Sequence, residues 1–224
     1  MQGTTLSRRS LAKGAIWSVP AIAVISAAPA LAASQIPVTM LWSGFPRGTI
    51  SGRLNSPATQ TVGGVAVTTS LTRSDTFHVN DNWTSTSDGR LKLASNRVTF
   101  GSAEQIVTLD FAAPVRNISL TIEDLDRGRN PDHQDEVYVP AGGTAFTTAT
   151  PGKKVIGSGT PSAPFRAADD VLGDFSGPDY AVSLTWEGPV TSIKIGYRQG
   201  VRANSAAFPS IWVSPVTFTP TVSA

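Results

Sequence analysis

Apolar residues recur at every second position through much of this chain, and that spacing admits few folds. Val107, Leu109 and Phe111 alternate with Thr108 and Asp110, and Ile118, Leu120 and Ile122 with Ser119 and Thr121. Val182, Leu184 and Trp186 alternate with Ser183 and Thr185, and Ile193, Ile195 and Tyr197 with Lys194 and Gly196. Successive side chains of an extended strand point to opposite faces, so each run lines one buried and one wetted face. Val65 with Val67, Val98 with Phe100, Val137 with Val139 and Val216 with Phe218 extend the pattern. No stretch holds helical spacing over three turns, and only Pro164 to Leu172 is expected to contain one short helical turn.

Turn residues divide these runs. Asp88-Gly89 reads as a two-residue hairpin turn between Trp83 and Leu91. Ala113-Pro114 and Gly188-Pro189 each stand between two alternating runs, where proline is expected to break the ladder and make a short connection. Low charge with 20 Gly and 16 Pro suits many short strands and not long solvated helices. The reading is an all-β chain of roughly ten to twelve strands, a two-sheet antiparallel sandwich of jelly-roll type in a single domain over residues 33–224. The Gly-, Pro- and Ser-rich segment from Pro140 to Asp179 is taken as a long excursion between strands of that domain.

The first 32 residues read differently. Ser7-Arg8-Arg9-Ser10-Leu11-Ala12-Lys13 resembles the twin-arginine export motif, with Leu11 and Ala12 in place of its usual Phe and Leu. A mildly apolar, Ala-rich stretch from Gly14 to Ala28 follows, too short for a stable membrane span. Ala30-Leu31-Ala32 has the small-x-small pattern of a signal-peptidase site, which sets the expected mature start at Ala33. The segment looks like the export signals of actinobacterial surface proteins. It implies a secreted or cell-surface product, without membrane insertion after cleavage.

Export changes the charge argument. The chain carries 18 Lys and Arg against 16 Asp and Glu, but Arg8, Arg9 and Lys13 lie in the signal. The domain that remains has 15 basic and 16 acidic residues, a net charge of −1. A near-neutral domain gives no electrostatic footprint for nucleic acid. The absence of cysteine excludes disulfides, thiolate metal sites and a cysteine nucleophile.

The densest polar segment runs from Glu123 to Glu136 and holds six carboxylates between two predicted strands. Calcium takes six to eight oxygen ligands, often carboxylates and carbonyls on an irregular loop. Asp124 and Asp126 would point the same way on extended backbone, and Asp135 or Glu136 would return across the hairpin base. The candidate calcium ligands are therefore Asp124, Asp126, Asp135 and Glu136. The alternative is a solvated hairpin loop in which Arg127 and Arg129 pair with the acids. The spacing does not match the helix–loop–helix calcium pattern.

The same segment resembles a motif of exported bacterial β-sandwich domains of adhesin-like surface proteins. In these, a strand of the form Val-x-Asn-(Ile/Leu)-Ser-(Phe/Leu)-Thr-Ile runs into Asp-(Ile/Leu)-Asp, followed by a variable loop and Asp-x-Val-x-Val. Here those are Val115 to Ile122, Asp124 to Asp126, and Asp135 to Val139. The resemblance covers about half of residues 33–224. It implies a binding or structural module and carries over no catalytic residues.

Trp83, beside Asn80, Asp81 and Asn82, and Trp212, of opposite parity to Ile211 and Val213, are the candidate ligand-binding aromatics. An exposed indole flanked by hydrogen-bonding groups is one way to hold a sugar, and a tryptophan capping a sheet edge is the alternative. His78 and His133 are the only histidines, and their spacing gives no zinc signature. No Gly-x-Ser-x-Gly elbow occurs, and no cofactor other than calcium is indicated. The expected function is a non-enzymatic module recognising extracellular carbohydrate or protein, with calcium as the candidate assisting ion. A structural envelope component without a discrete ligand, or a hydrolase of wall polysaccharide with carboxylates from distant strands, stays open.

Overall fold

The computed structural model describes residues 36–45, 57–73, 83–84, 88–94, 104–128, 133–168, 177–200 and 209–221. All of them fall in one compact unit, Gln35–Ala224. The expected export signal lies outside the described residues, as do Val98 and Phe100. Among the described residues no helix is long and apolar enough to cross a membrane.

The chain is an antiparallel all-β structure, as the alternation requires. Its strands are β1 (Val38–Met40), β2 (Ala58–Val62), β3 (Val65–Arg73), β4 (Trp83–Thr84), β5 (Leu91–Ala94), β6 (Glu104–Glu123) and β7 (Asp135–Tyr138). They continue with β8 (Thr148–Pro151), β9 (Val155–Ile156), β10 (Phe165–Ala167), β11 (Val182–Trp186), β12 (Val190–Gln199), β13 (Ser210–Val213) and β14 (Val216–Pro220). Two single 3-10 turns, Trp42–Gly44 and Pro178–Tyr180, are the only helical elements among the described residues.

β6 organises the rest. Its first half, to Phe111, pairs with β3 on one side and β12 on the other. Its second half pairs with β11 on one side and with β14, then β13, on the other. One strand thus carries two sets of neighbours. β2 adds to β3, β1 to β14, β8 to β11, and β5 with β4 to β13. Beyond β12 come β7, β10 and β9.

Three local expectations are corrected. Pro114 does not end a strand: β6 runs through it for 20 residues. Proline is tolerated because the neighbours change there, with register shifts at Val190/Ser192 in β12 and at Thr217/Thr219 in β14. Where a helical turn is expected between Pro164 and Leu172, Phe165–Ala167 form strand β10, with Phe165 and Ala167 buried between β7 and β9, and residues 169–172 lie outside the described residues. The segment after Pro140 is not a bare excursion: β8, β9 and β10 widen the sheet at two places. Asp88-Gly89 does lie between β4 and β5, inside a longer connection, where Gly89 takes φ 68° and its carbonyl accepts from the Trp42 amide.

The apolar faces meet in one cluster that includes Met40, Trp42, Val67, Leu109, Phe111, Ile118, Ile122, Val182, Trp186, Ile195, Val213 and Phe218. Two fully buried indoles keep their N–H groups satisfied. Trp42 donates to the Ser214 carbonyl and Trp186 to that of Thr144.

Candidate functional site

Two polar regions stand on this frame. One is the hairpin that joins β6 to β7; the other is the wetted face of β6 and its neighbours.

The hairpin begins where β6 ends. Asp124 takes φ 67°, so the chain turns out of extended geometry at that residue. The amide of Leu125 then donates to Tyr180, that of Gly128 to His133, and that of Asp135 to Asp126. Arg127 and Gln134 form a bridge. These bonds bring Asp126, His133 and Asp135 together, each offering one ligand atom, all within 4.8 Å of one another. His133 Nε2 stands 2.8 Å from Asp126 Oδ1.

Asp135 is the innermost of the three, with 0% of its surface exposed. Its Oδ1 accepts from the Tyr197 hydroxyl at 2.7 Å and from Gln199 Nε2 at 2.8 Å. Gln199 is fixed in turn, donating also to the Tyr197 oxygen and accepting from the Gln134 amide. Asp135 Oδ2 is buried and takes no hydrogen bond from any described N–H or hydroxyl donor. Burial first, then the negative charge of Asp126 and a hydrogen bond shared between the two carboxyls, pushes the Asp135 carboxyl well above the usual carboxylate range, against the opposing pull of Tyr197 and His133. Burial, followed by the Asp135 charge, likewise pushes the Tyr197 phenol up.

The four carboxylates singled out from sequence are not gathered in one place. Asp126 and Asp135 share the cluster. Asp124 is buried nearby but not among the three, because its positive φ removes the parity that would have aligned it with Asp126. Glu136 belongs to the other face of β7. It accepts from Arg198 Nε at 2.8 Å and lines a cavity of about 410 Å³ with Arg166 and Arg198. His133, set aside as a metal ligand on its spacing from His78, is the third member of the cluster. Its place two residues before Asp135, on the returning arm of a short hairpin, was the available signal.

On the wetted face, cross-strand register lines up hydroxyls. Thr39 pairs with Thr217, Thr217 with Ser119, Ser119 with Thr185, and Thr185 with Thr148. A second row runs Thr121, Ser183, Thr150. Thr121 and Ser183 hydroxyls are hydrogen-bonded at 2.9 Å, and those of Thr39 and Thr217 at 3.3 Å. A cleft of about 630 Å³ lies over the second row, lined by Thr121, Glu123, Thr150, Pro178 and Ser183 among others.

Trp212 stands at the end of this face, paired with Glu123 on one side and Lys92 on the other. Its ring is half-buried, with the Arg90 guanidinium 4.9 Å and the Lys92 ammonium 5.5 Å from the centroid. Arg90 donates to Glu123 at 2.7 Å and to Asp88 at 2.6 Å. Trp83 occupies the register position opposite Lys92, and its side chain lies outside the described residues. The two aromatics chosen from sequence therefore fall in a single cross-strand series, Trp83, Lys92, Trp212, Glu123. No family model, no curated protein and no solved structure matches this chain.

Proposed function

We propose that this protein is a non-enzymatic binding module that takes an extracellular polysaccharide along the wetted face of β6 and its neighbours. In this reading the chain leaves the cell by the twin-arginine route, loses residues 1–32, and works secreted or at the cell surface. Its sheet folds over as a jelly-roll sandwich, with β6 passing from one layer to the other at Pro114.

The observation that carries the reading is the two cross-strand rows of hydroxyls through Ser119 and Thr121, with Trp212 paired to Glu123 further along the same face of β6. Neighbouring strands lie about 4.8 Å apart, so five paired hydroxyls cover about 19 Å in a nearly straight row. Each hydroxyl has one donor and two acceptor positions, so those that bond one another keep capacity for a ligand. A polysaccharide offers a matching series of hydroxyls, and an indole edged by Glu123 and Arg90 adds a stacking surface with a charged rim. The cleft over Thr121 and Ser183 supplies the concavity that a flat sheet lacks. Calcium has no part in this reading, since the carboxylates beside Trp212, Glu123 and Asp88, are both paired with Arg90.

The test is retention of the full chain on insoluble wall polysaccharide, chitin and cellulose, followed by a soluble glycan screen. At least one polysaccharide should retain the protein. Trp212→Ala and the pair Thr121→Val, Ser183→Val should each weaken binding tenfold or more, about 1.4 kcal/mol. Retention on none of them, or equal retention of the variants, would overturn the assignment.

A further inference from the structure

The carboxylate–imidazole group at the hairpin base has the composition of a metal site of a different class from the one its acidity announces. Calcium and magnesium want oxygen; an imidazole nitrogen beside two carboxylates suits a transition metal. Three protein ligands with one position left for water is a common zinc arrangement.

Three further observations favour a bound ion over a simple acidic cluster. Asp135 is entirely out of water, its Oδ2 takes no hydrogen bond from any described N–H or hydroxyl donor, and its carboxyl lies within hydrogen-bond reach of the Asp126 carboxyl, so the two acids need a shared proton or a cation between them. With Oδ1 held by Tyr197 and Gln199, Oδ2 is the oxygen left to meet Asp126 and His133. The Tyr197–Gln199–Gln134 chain also fixes the orientation of the Asp135 carboxyl, as outer hydrogen bonds do around metal ligands. Finally, the site has an entrance. The His133 side chain is 15% exposed and that of Asp126 7%, whereas Asp135 forms the closed floor.

The distances fit with small movements. Ligands about 2.1 Å from a tetrahedral ion sit roughly 3.4 Å from one another. The three donor atoms already lie within 4.8 Å, and the His133–Asp126 separation of 2.8 Å would open slightly. We infer that Asp126, His133 and Asp135 form a mononuclear site for a divalent transition metal of the zinc class, with His133 as the ligand that selects against calcium. An ion there would tie the end of β6 to β7 and close the hairpin base.

Untagged full-length protein, stripped with chelator, is titrated with Zn²⁺ and separately with Ca²⁺ by calorimetry, and the thermal midpoint is followed in each. One Zn²⁺ should bind per chain and raise the midpoint by several degrees at a hundredfold excess over Kd. Ca²⁺ should do neither. His133→Ala should weaken Zn²⁺ binding at least a hundredfold while the far-ultraviolet circular dichroism stays native, and His78→Ala should leave binding intact. Asp126→Asn is the second ligand variant; if it does not fold, His133→Ala decides. Absence of one-to-one Zn²⁺ binding, Zn²⁺ binding unchanged in His133→Ala, or a preference for Ca²⁺ would each overturn the assignment.

Discussion

Asp135 sits on β7 with two donors on one oxygen and a second carboxylate, Asp126, beside it. Its raised carboxyl means that, without metal, the folded protein keeps a proton that the unfolded chain releases near the ordinary value of about 3.9. Between that value and the raised one, the folded state binds more protons. Stability then falls as pH rises, at up to about 1.4 kcal/mol per unit. The contribution is complete below the unfolded value and lost as pH passes through the folded one. In chelator, urea midpoints from about pH 4 to pH 7 should therefore fall more steeply for the wild type than for Asp135→Asn, which keeps an oxygen for Tyr197 and Gln199. Equal slopes would show that the carboxyl titrates normally. At this scale the sequence was partly legible. The concentration of acids around a hairpin was visible, and so was the pairing of its two arms. Parity arguments then assumed extended backbone up to Asp126, and the φ of 67° at Asp124 voids that assumption. Glu136 was lost for the opposite reason: β7 is regular, so adjacent residues must face opposite ways, and Glu136 meets Arg198.

Among the elements, β6 shows where period-two reading succeeds and where it stops. Both apolar runs, Val107 to Phe111 and Ile118 to Ile122, lie in strand and point inward as alternation requires. That they belong to one strand was not legible, because Pro114 carries the local mark of a break. What keeps the strand continuous is tertiary: partners change around Pro114, and the Thr221 side chain donates to its carbonyl. Asn117 marks the same transition. It takes φ 51°, is exposed, and its amide donates to the Glu187 carbonyl at 3.1 Å. The left-handed region costs ordinary L-residues about 1–2 kcal/mol, and asparagine is among those that visit it routinely. Asn117→Val should therefore lower stability by about 1–2 kcal/mol, whereas Asn117→Gly should be close to neutral. Urea denaturation of both variants measures this directly. A neutral valine would mean that residue 117 does not need a positive φ.

For the molecule as a whole, the question is what joins the two sets of strands that β6 serves. Phe111 ends the half flanked by β3 and β12, and Phe218 lies on β14, which flanks the other half. Their rings meet edge to face with centroids 5.3 Å apart, and Phe218 has no exposed surface. β14 also holds β1, so the strand nearest the end of the described chain anchors the one nearest its start. Such long-range closure was invisible to pattern reading, which located Val216 and Phe218 on an apolar face but not the face they meet. Truncating a buried phenylalanine to alanine costs about 3–5 kcal/mol, a large share of the 5–15 kcal/mol available to a domain. Phe218→Ala should therefore bring the chain near its unfolding limit, with an earlier urea midpoint and an unchanged denaturant slope if unfolding stays two-state. Thr217→Val, one residue away on the wetted face, is the matched control and should shift stability by no more than about 0.5 kcal/mol. If Phe218→Ala costs no more than Thr217→Val, the faces of the two sets are not packed through this pair, and the sandwich reading loses this contact. If the loss is large and the denaturant slope also falls, the two sets unfold separately, and β6 joins two weakly coupled units instead of crossing one core.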